Sequence, residues 1–455
     1  MKNSLKYSLY LTWSVLIILL LMHELPGFSI GGYTFREVDL LSDIRKTSLT
    51  EDTDSILILP PIEKPAFADT CRTGMTCIVD YSDSTMRGMK PFYDALNRLQ
   101  DKNRLVKIAV FGDSFIEADI LTADLRAMLQ QKYGGCGVGY VDVTSSVYGF
   151  RPTVKHSFSG WESHAATDSM YFNRSKQGIS LRYFIPSAGS FVEYRGQSKY
   201  ASLLDTFNIS TIYFKNNGNL NLSAQINKGQ NETKNFTASP DLQQMQVKGN
   251  IGSVRWRVNS VESAVFYGTA LDGTSGIAVD NFSLRSSTGI TLQYIPRKTL
   301  EDFNRLRPYD LIILQYGLNV ATRTGKNYDN YQKALLKTIN YIKECFPQAG
   351  ILLLSVGDRD YRASDGEMHT MPGVKNLIAY QEHIAAESKI AFWNMYEAMG
   401  GDGSMAKFAH AKPPKANLDY THINFKGGEE LAKLLYETLI YGKEHYDKRC
   451  AYENE

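Results

Sequence analysis

The chain has 455 residues, and a single hydrophobic core rarely grows beyond about 250 to 300 residues, so we expect more than one structural unit. It carries 50 Lys and Arg against 48 Asp and Glu, a formal net charge of +2, and this balance gives no basic field that would favour nucleic acid as a partner. With 43% hydrophobic and 22% charged residues, the composition excludes wholesale disorder, a collagen-like repeat and a protein with many membrane spans.

Residues 1–32 predict an export segment. Lys2 and Lys6 precede an apolar run over residues 7–22, and Pro26 follows it. At about 16 residues, the run lies between a long cleaved signal peptide and a short membrane anchor, and both interpretations stay open. A buried core helix is a third alternative. If the segment is an export signal, its positive N-terminus predicts a periplasmic or cell-surface location, with one transmembrane helix if it is not cleaved.

Residues 33–90 predict a spacer, because periodic stretches are few and turn-forming or charged residues are common. Cys71 and Cys77 are separated by a loop short enough to close as a disulfide in an oxidising compartment, and two unpaired thiols are the alternative. No neighbouring His completes a zinc set, so no metal is expected here.

Strand, turn and helix patterns alternate in two separate parts of the chain, residues 91–150 and 271–446. In the first part, an apolar run at 105–111 ends at a Gly-Asp-Ser turn, and a helical pattern follows at 116–132. Short apolar strands that alternate with helices predict a parallel sheet with helices on both faces. The second part continues this alternation at residues 310–316, 328–345, 351–356, 374–388, 390–394 and 427–446.

Between these parts, residues 151–270 predict an inserted all-β module of sandwich or jelly-roll type. The segment has no convincing helical pattern, and its β-branched or alternating runs are separated by turn signals. Insertion of such a module into another domain is tolerated when the chain enters and leaves through a surface loop. Residues 447–455 are interpreted as a tail. The clearest strand-like runs cover residues 179–185, 210–215, 220–226 and 254–258.

Ser114 is the first residue with a chemical role to consider. It stands between a predicted strand and a predicted helix, where open α/β sheets bind ligands. A hydroxyl in that position can be a nucleophile, and the amides of a helix N-terminus favour developing negative charge. The alternative role is that of a helix N-cap.

Three further segments complete a catalytic pattern. An activated serine needs a base within hydrogen-bond reach and a carboxylate that orients this base, and Asp419 and His422 lie three positions apart before the last predicted helix. Asn319 and the backbone N–H of Gly289 can each donate a hydrogen bond to an oxyanion. Taken singly, each of these residues more often belongs to an ordinary turn.

In this order, the Gly-Asp-Ser turn, a Gly, a Gly-x-Asn and an Asp-x-x-His resemble the SGNH (GDSL-type) hydrolase family over residues 105–148 and 276–446. The resemblance implies a flavodoxin-like three-layer α/β/α domain and a serine hydrolase of carboxylic esters that needs no metal or other cofactor. One departure is Val320, where the family commonly has Asp. That Asp does not itself hold the oxyanion, so the chemistry is expected to survive.

The resemblance also assigns roles. Ser114 would be the nucleophile, His422 the general base and then acid, and Asp419 the partner that orients His422. The amides of Ser114 and Gly289 would form the oxyanion hole with the side chain of Asn319. Four further residues, which lie beside these motifs or after the strand-like run at 351–356, are candidates for the pocket wall: Asp113, Gly317, Asp358 and Arg359.

A β module between the Ser and Gly segments of an exported chain is also similar to bacterial peptidoglycan O-acetylesterases, which carry a carbohydrate-binding jelly roll there. Trp161 and Trp256 suit either stacking on sugar rings or packing within strands. We therefore expect an esterase that removes O-acetyl or other short acyl groups from peptidoglycan or another polysaccharide outside the cytoplasm. The alternatives are an O-acyltransferase that acts on a glycan with the same triad, and a noncatalytic glycan-binding protein.

Overall fold

The structure is a computed structural model that describes residues 2–24, 29–30, 33–34, 71–83, 87–100, 104–168 and 172–453. The chain divides into two compact units, Met1–Pro60 and Pro61–Glu455. The first contains helix α1 (Lys2–Glu24) and strands β1 (Ser29–Ile30) and β2 (Tyr33–Thr34). Across the residues that the structure describes, no helix combines the length and the apolar character that crossing a membrane requires. The prediction of an N-terminal anchor is not confirmed, and most of the predicted spacer lies outside the described residues.

The second unit contains the remaining regular elements. Its strands are β3 (Val79–Asp80), β4 (Leu105–Gly112), β5 (Gly139–Asp142), β6 (Val154–Ala165), β7 (Arg182–Gly196), β8 (Phe207–Asn216), β9 (Leu220–Ile226), β10 (Asn231–Phe236), β11 (Gln243–Ile251), β12 (Ser253–Val261), β13 (Ala264–Asp272), β14 (Gly276–Ser283), β15 (Leu311–Gln315), β16 (Gly350–Leu354), β17 (Asp360–Arg362), β18 (Met368–Thr370) and β19 (Ala391–Trp393). Its helices are α2 (Lys90–Asn97), α3 (Thr122–Tyr133), α4 (Arg297–Leu306), α5 (Asp329–Cys345), α6 (Pro372–Glu387), α7 (Met395–Ala398), α8 (Ser404–Ala409) and α9 (Phe425–Glu453).

A mostly parallel sheet organises the α/β part of this unit. Its strand order is β14-β4-β15-β16-β19-β3, with only β3 antiparallel to its neighbour. Every residue of β15 and β16 is buried, because these continuous apolar strands are covered on both faces. The predicted α/β class with a parallel sheet is confirmed, and the first five strands follow the flavodoxin-like order.

Alternate residues of the parallel sheet form one core with helices α2, α3 and α9. Ile108 and Val110 of β4 point into this core, together with Leu125 of α3 and Leu431 of α9. Helix α5 contacts α4 and α6. Strand β14 extends the sheet through eight parallel pairs with β4, although the sequence analysis identified no strand there.

An additional antiparallel sheet is built from residues between Gly139 and Asp272. Strands β6, β7, β12, β9 and β10 form one group and strands β5, β13, β8 and β11 another, and the pairing of Phe184 with Phe266 joins them. Apolar residues from both groups, including Val192 and Trp256, share one core. Strand β5 belongs to this sheet although it precedes the predicted module, and the predicted domain boundaries remain a prediction.

Arg307 connects the two sheets through buried ion pairs. Its guanidinium lies 2.6 Å from a carboxylate oxygen of Asp272 in β13 and 2.6 Å from one of Asp280 in β14. The hydroxyl of Tyr309 donates to the same Asp280 carboxylate at 2.6 Å. Burial alone raises the pKa of Asp280, but the Arg307 charge and these hydrogen bonds outweigh it and lower this pKa. Two buried carboxylates thus share one guanidinium where the two sheets meet.

Replacing Arg307 with Met should destabilise the protein strongly. The change leaves two buried carboxylates without their cation, and breaking a buried ion pair in this way costs about 3 to 5 kcal/mol. Arg305→Met is the matched control, because Arg305 is 55% exposed and its ion pair with Asp302 is expected to contribute about 1 kcal/mol or less. Urea unfolding of both variants measures the difference, and equal losses would contradict a special role for Arg307.

Candidate active site

Segments that follow neighbouring strands meet at the carboxyl edge of the parallel sheet. Ser114 comes directly after β4, which lies between β14 and β15 and so marks the point where the strand order reverses. Ligands of open α/β sheets bind in the crevice at such a point. Asn319 follows β15, Arg359 follows β16, and both lie near His422 in one cleft.

Ser114, His422 and Asp419 form a continuous hydrogen-bonded chain. Ser114 Oγ lies 3.1 Å from His422 Nε2, and His422 Nδ1 lies 2.8 Å from Asp419 Oδ2. The structure thus brings together two residues that are 308 positions apart in the sequence. In this geometry, the imidazole can accept the Ser114 proton while the carboxylate orients the ring.

The loop before α9 fixes the carboxylate locally. The other oxygen of Asp419, Oδ1, accepts the backbone N–H groups of Thr421 and His422, each at 3.0 Å. Burial alone raises the pKa of Asp419, but hydrogen bonds from the His422 backbone, the His422 ring and Thr421 outweigh it and lower this pKa. The carboxylate therefore stays ionised and can stabilise a charged imidazole.

Ser114 begins a stretch of 3-10 helix, Ser114–Asp119, and α3 begins only at Thr122, whereas the helical pattern predicted one continuous helix over residues 116–132. Ala118 and Asp119 adopt left-handed backbone conformations, with φ of 56° and 69°. The Asp119 carboxylate pairs with Arg126 of α3 at 3.2 Å, and both side chains are fully buried. Together with the ion pair between Asp119 and Arg151, this contact holds the kinked segment, so the helical pattern was wrong for residues 116–121.

Asn319 is held at the site by a short loop after β15. Its side-chain Nδ2 donates to the backbone oxygen of Ser287 at 3.0 Å and to Asp113 Oδ2 at 3.4 Å. Gly317 has a φ of 135°, and a Cβ there would lie 2.6 Å from a side-chain carbon of Val356. The loop therefore requires glycine at this position.

Gln381, a buried side chain of α6 that was not predicted as a site residue, supports this loop. Gln381 Nε2 donates to the backbone oxygen of Tyr316, and Gln381 Oε1 accepts the N–H of Val356, both at 2.8 Å. These bonds tie the loops after β15 and β16 to each other. The sequence signal that could have identified Gln381 is a polar residue on the apolar face of the helix predicted over residues 374–388.

Gly289 belongs to the motif that precedes the Asn319 motif in the chain. Its N–H makes a hydrogen bond within its own turn. The N–H donates to Ser287 Oγ at 3.2 Å, and the backbone oxygen of Ser287 accepts the Asn319 side chain. Gly289 has a φ of 85°, and a Cβ there would lie 2.6 Å from the Tyr316 ring. Ser287, which the sequence analysis did not single out, thus links the Gly and Asn segments.

A cleft of about 250 Å³ opens beside His422, lined by Leu318, Asn319, Ala321, Arg359, Thr421 and His422. Four residues were predicted to form the pocket wall. Of these, only Arg359 is among the described residues that line this cleft. The other three, Asp113, Gly317 and Asp358, are buried, and their assignment to the pocket wall stays a prediction. Asp358 accepts hydrogen bonds from Thr370, Ser404 and Met405, so it supports the loop that carries Arg359.

No group of three or more metal-ligating side chains that could hold an ion occurs within the part of the chain that the structure describes. Cys71 and Cys77, for which the sequence left two alternatives, form a disulfide.

No protein-family model matches the sequence, and no curated protein matches it. Among solved structures, the chain is similar to a peptidoglycan O-acetylesterase, with a TM-score of 0.67 and 18% identity over 81% of this chain and 99% of that one. A family two carbohydrate esterase from Clostridium thermocellum aligns with a TM-score of 0.28 and 11% identity over 62% of this chain and 97% of that one. The salicylyl-acyltransferase SsfX3 aligns with a TM-score of 0.30 and 14% identity over 66% and 97%. The first similarity shows a shared fold, and the other two are too weak to do so.

Asp113, which precedes the nucleophile, should make stability depend on pH. Burial raises its pKa from 3.8 to about 7, against hydrogen bonds from the Phe115 and Leu318 backbones and the nearby His422, which lower it. The folded protein thus holds this proton more tightly than the unfolded chain, so the contribution to stability is full below about pH 4 and is lost as the pH rises through about 7.

Asp113→Asn cannot ionise and should not lose this stability. Relative to the wild type, its free energy of unfolding should therefore rise by about 3 kcal/mol as the pH goes from about 4 to about 7. Urea unfolding at several pH values measures the difference between the two proteins. A difference that stays constant over this range would show that Asp113 titrates normally.

Proposed function

We propose that the protein is a serine esterase of the SGNH type that removes O-acetyl or other short acyl groups from a polysaccharide. The observation that supports this most directly is the chain of hydrogen bonds from Ser114 through His422 to Asp419. It stands at the ligand-binding edge of a fold shared with a peptidoglycan O-acetylesterase structure.

In the proposed reaction, Ser114 Oγ attacks the ester carbonyl while His422 Nε2 takes its proton. The tetrahedral intermediate collapses to an acyl-enzyme, and His422 returns the proton to the departing sugar hydroxyl. Water, deprotonated by the same ring, then releases the carboxylic acid and restores Ser114. The His422 side chain is 38% exposed, so water can reach it.

We assign oxyanion stabilisation to the Ser114 N–H, the Asn319 side chain and the Gly289 N–H. One hydrogen of Asn319 Nδ2 makes only a 3.4 Å contact with Asp113, so that hydrogen is available to a substrate oxygen. The Gly289 N–H can contribute only if it exchanges its 3.2 Å bond to Ser287 Oγ for one to the substrate.

A glycan substrate is supported by a second cleft, of about 340 Å³, beside the nucleophile segment. Glu117 from that segment and Arg182 from the antiparallel sheet both line it, as does Tyr148, which is half exposed. Polar groups next to an exposed aromatic ring suit a sugar chain. We therefore assign glycan recognition to the sheet inserted between Ser114 and Gly289.

We place the reaction outside the cytoplasm, in the periplasm or at the cell surface. The basic and apolar residues 1–32 are compatible with export, either as a cleaved signal or as an anchor. The disulfide between Cys71 and Cys77 is of the kind that persists in oxidising compartments.

Ser114→Ala should abolish the release of acetate from a short-chain aryl ester. Loss of the nucleophile of such a triad lowers kcat by on the order of 10⁴-fold or more. Ser275→Ala is the matched control, because Ser275 is an exposed residue in the turn after β13. We expect the control to keep wild-type activity, and retention of activity in Ser114→Ala would exclude the proposed mechanism.

Asn319→Ala should lower kcat by about 100- to 1,000-fold and change KM little, because the lost donor acts on the transition state. Steady-state kinetics with the same aryl ester measure both constants. A rise in KM at unchanged kcat would instead assign Asn319 to ground-state binding.

A further inference from the structure

Arg359 is a charged residue of the cleft, and it has no role in the proposed reaction. It lines the same cleft as Asn319 and His422, on the loop after β16. A group bound there would lie next to the ester that Ser114 attacks. This location makes the chemistry of Arg359 relevant to which substrates fit.

The guanidinium of Arg359 has no counter-ion within the described part of the chain. Its Nη1 makes long contacts with the backbone oxygens of Leu318, at 3.5 Å, and Ala321, at 3.4 Å. Its Nε is buried and has no hydrogen-bond partner among the described residues. A half-buried Arg is normally paired with a carboxylate, because desolvating the cation alone is costly.

Neighbouring carboxylates are engaged elsewhere. Asp358 turns away from the cleft and accepts the Ser404 hydroxyl and the Met405 N–H. Asp419 accepts a hydrogen bond from the His422 ring. The wall of the cleft therefore presents a guanidinium that forms no ion pair among the described residues, although the whole chain is almost neutral, with a net charge of +2.

We propose that Arg359 binds a carboxylate of the glycan, so that the preferred substrate is an acylated acidic sugar and not a neutral one. This proposal rests on the proposed esterase function and narrows its substrate class. A planar guanidinium matches a carboxylate with two parallel hydrogen bonds, which favours an anionic ligand over a sugar hydroxyl. The carboxylate can belong to a hexuronic acid or to a lactyl ether on the sugar, and the two sources share this chemistry.

The test compares substrates that differ only in charge. We would measure kcat/KM for acetate release from an O-acetylated methyl glucuronoside, from the matched O-acetylated methyl glucoside, and from an O-acetylated sugar with a lactyl ether. The wild type should prefer one of the acidic sugars over the neutral one by about 10- to 100-fold. A preference for the uronoside or for the lactyl ether identifies the source of the carboxylate.

Variants then connect the preference to Arg359. Arg359→Met should remove it by slowing only the acidic substrate, and Arg359→Lys should keep part of it. Arg323→Met is the matched control, because Arg323 stacks on Tyr361 and is not among the residues lining the cleft. It should leave the preference unchanged.

Two results would overturn the proposal. One is a wild type without preference for either acidic sugar, which needs no variant to observe. The other is an equal loss on acidic and neutral sugars in Arg359→Met, which would mean that Arg359 only holds the loop of Asn319. A wild type inactive on these sugars but active on an aryl acetate would reject the glycan substrate, and inactivity on every ester would reject the esterase function itself.

Discussion

The position of Ser114, the proposed nucleophile, depends on one buried carboxylate. Asp119 ends the turn that begins at Ser114, in a left-handed conformation with a φ of 69°, which costs a non-glycine residue about 1 to 3 kcal/mol unless its surroundings hold it. Its carboxylate is fully buried, pairs with Arg126 and Arg151, and accepts the hydroxyl of Thr153 at 2.6 Å. Burial raises its pKa, but the two arginines outweigh this and lower it, so the charge persists.

The same contacts explain how an inserted sheet and a catalytic edge form one structure. Arg126 also donates to the backbone oxygen of Val279 in β14, so the nucleophile turn, α3 and the parallel sheet share one polar network. Thr153 and Arg151 precede β6, and they bring the antiparallel sheet to that network. Arg307 makes a second connection between β13 and β14. Charges that are costly to bury thus fix the geometry of an otherwise apolar fold.

Much of this architecture was predictable, because apolar runs such as those of β15 and β16 indicate buried parallel strands. The carboxyl ends of such strands meet at one edge of the sheet. The same logic placed Ser114 and Asn319 at one edge, whereas His422 was joined to them by the chemistry of an activated serine and by the resemblance to SGNH hydrolases. Strand β14 was missed because Asp280 interrupts its apolar pattern, and this carboxylate is tolerated only through Arg307, a distant partner that no local pattern reveals. The bond from the Gly289 N–H to Ser287 likewise depends on a turn conformation that residue type alone does not determine.

In the proposed mechanism, Ser114 forms a covalent acyl intermediate, His422 takes and returns its proton, and Asp419 orients His422. The most direct measurement is peptide mass mapping after rapid acid quenching of the protein with an activated acetyl ester. We expect the mass of one acetyl group to appear on the peptide containing Ser114 within the first turnover and to disappear as substrate is exhausted. Acetate release without any acetylated Ser114, or with the acetyl group on another residue, would contradict it.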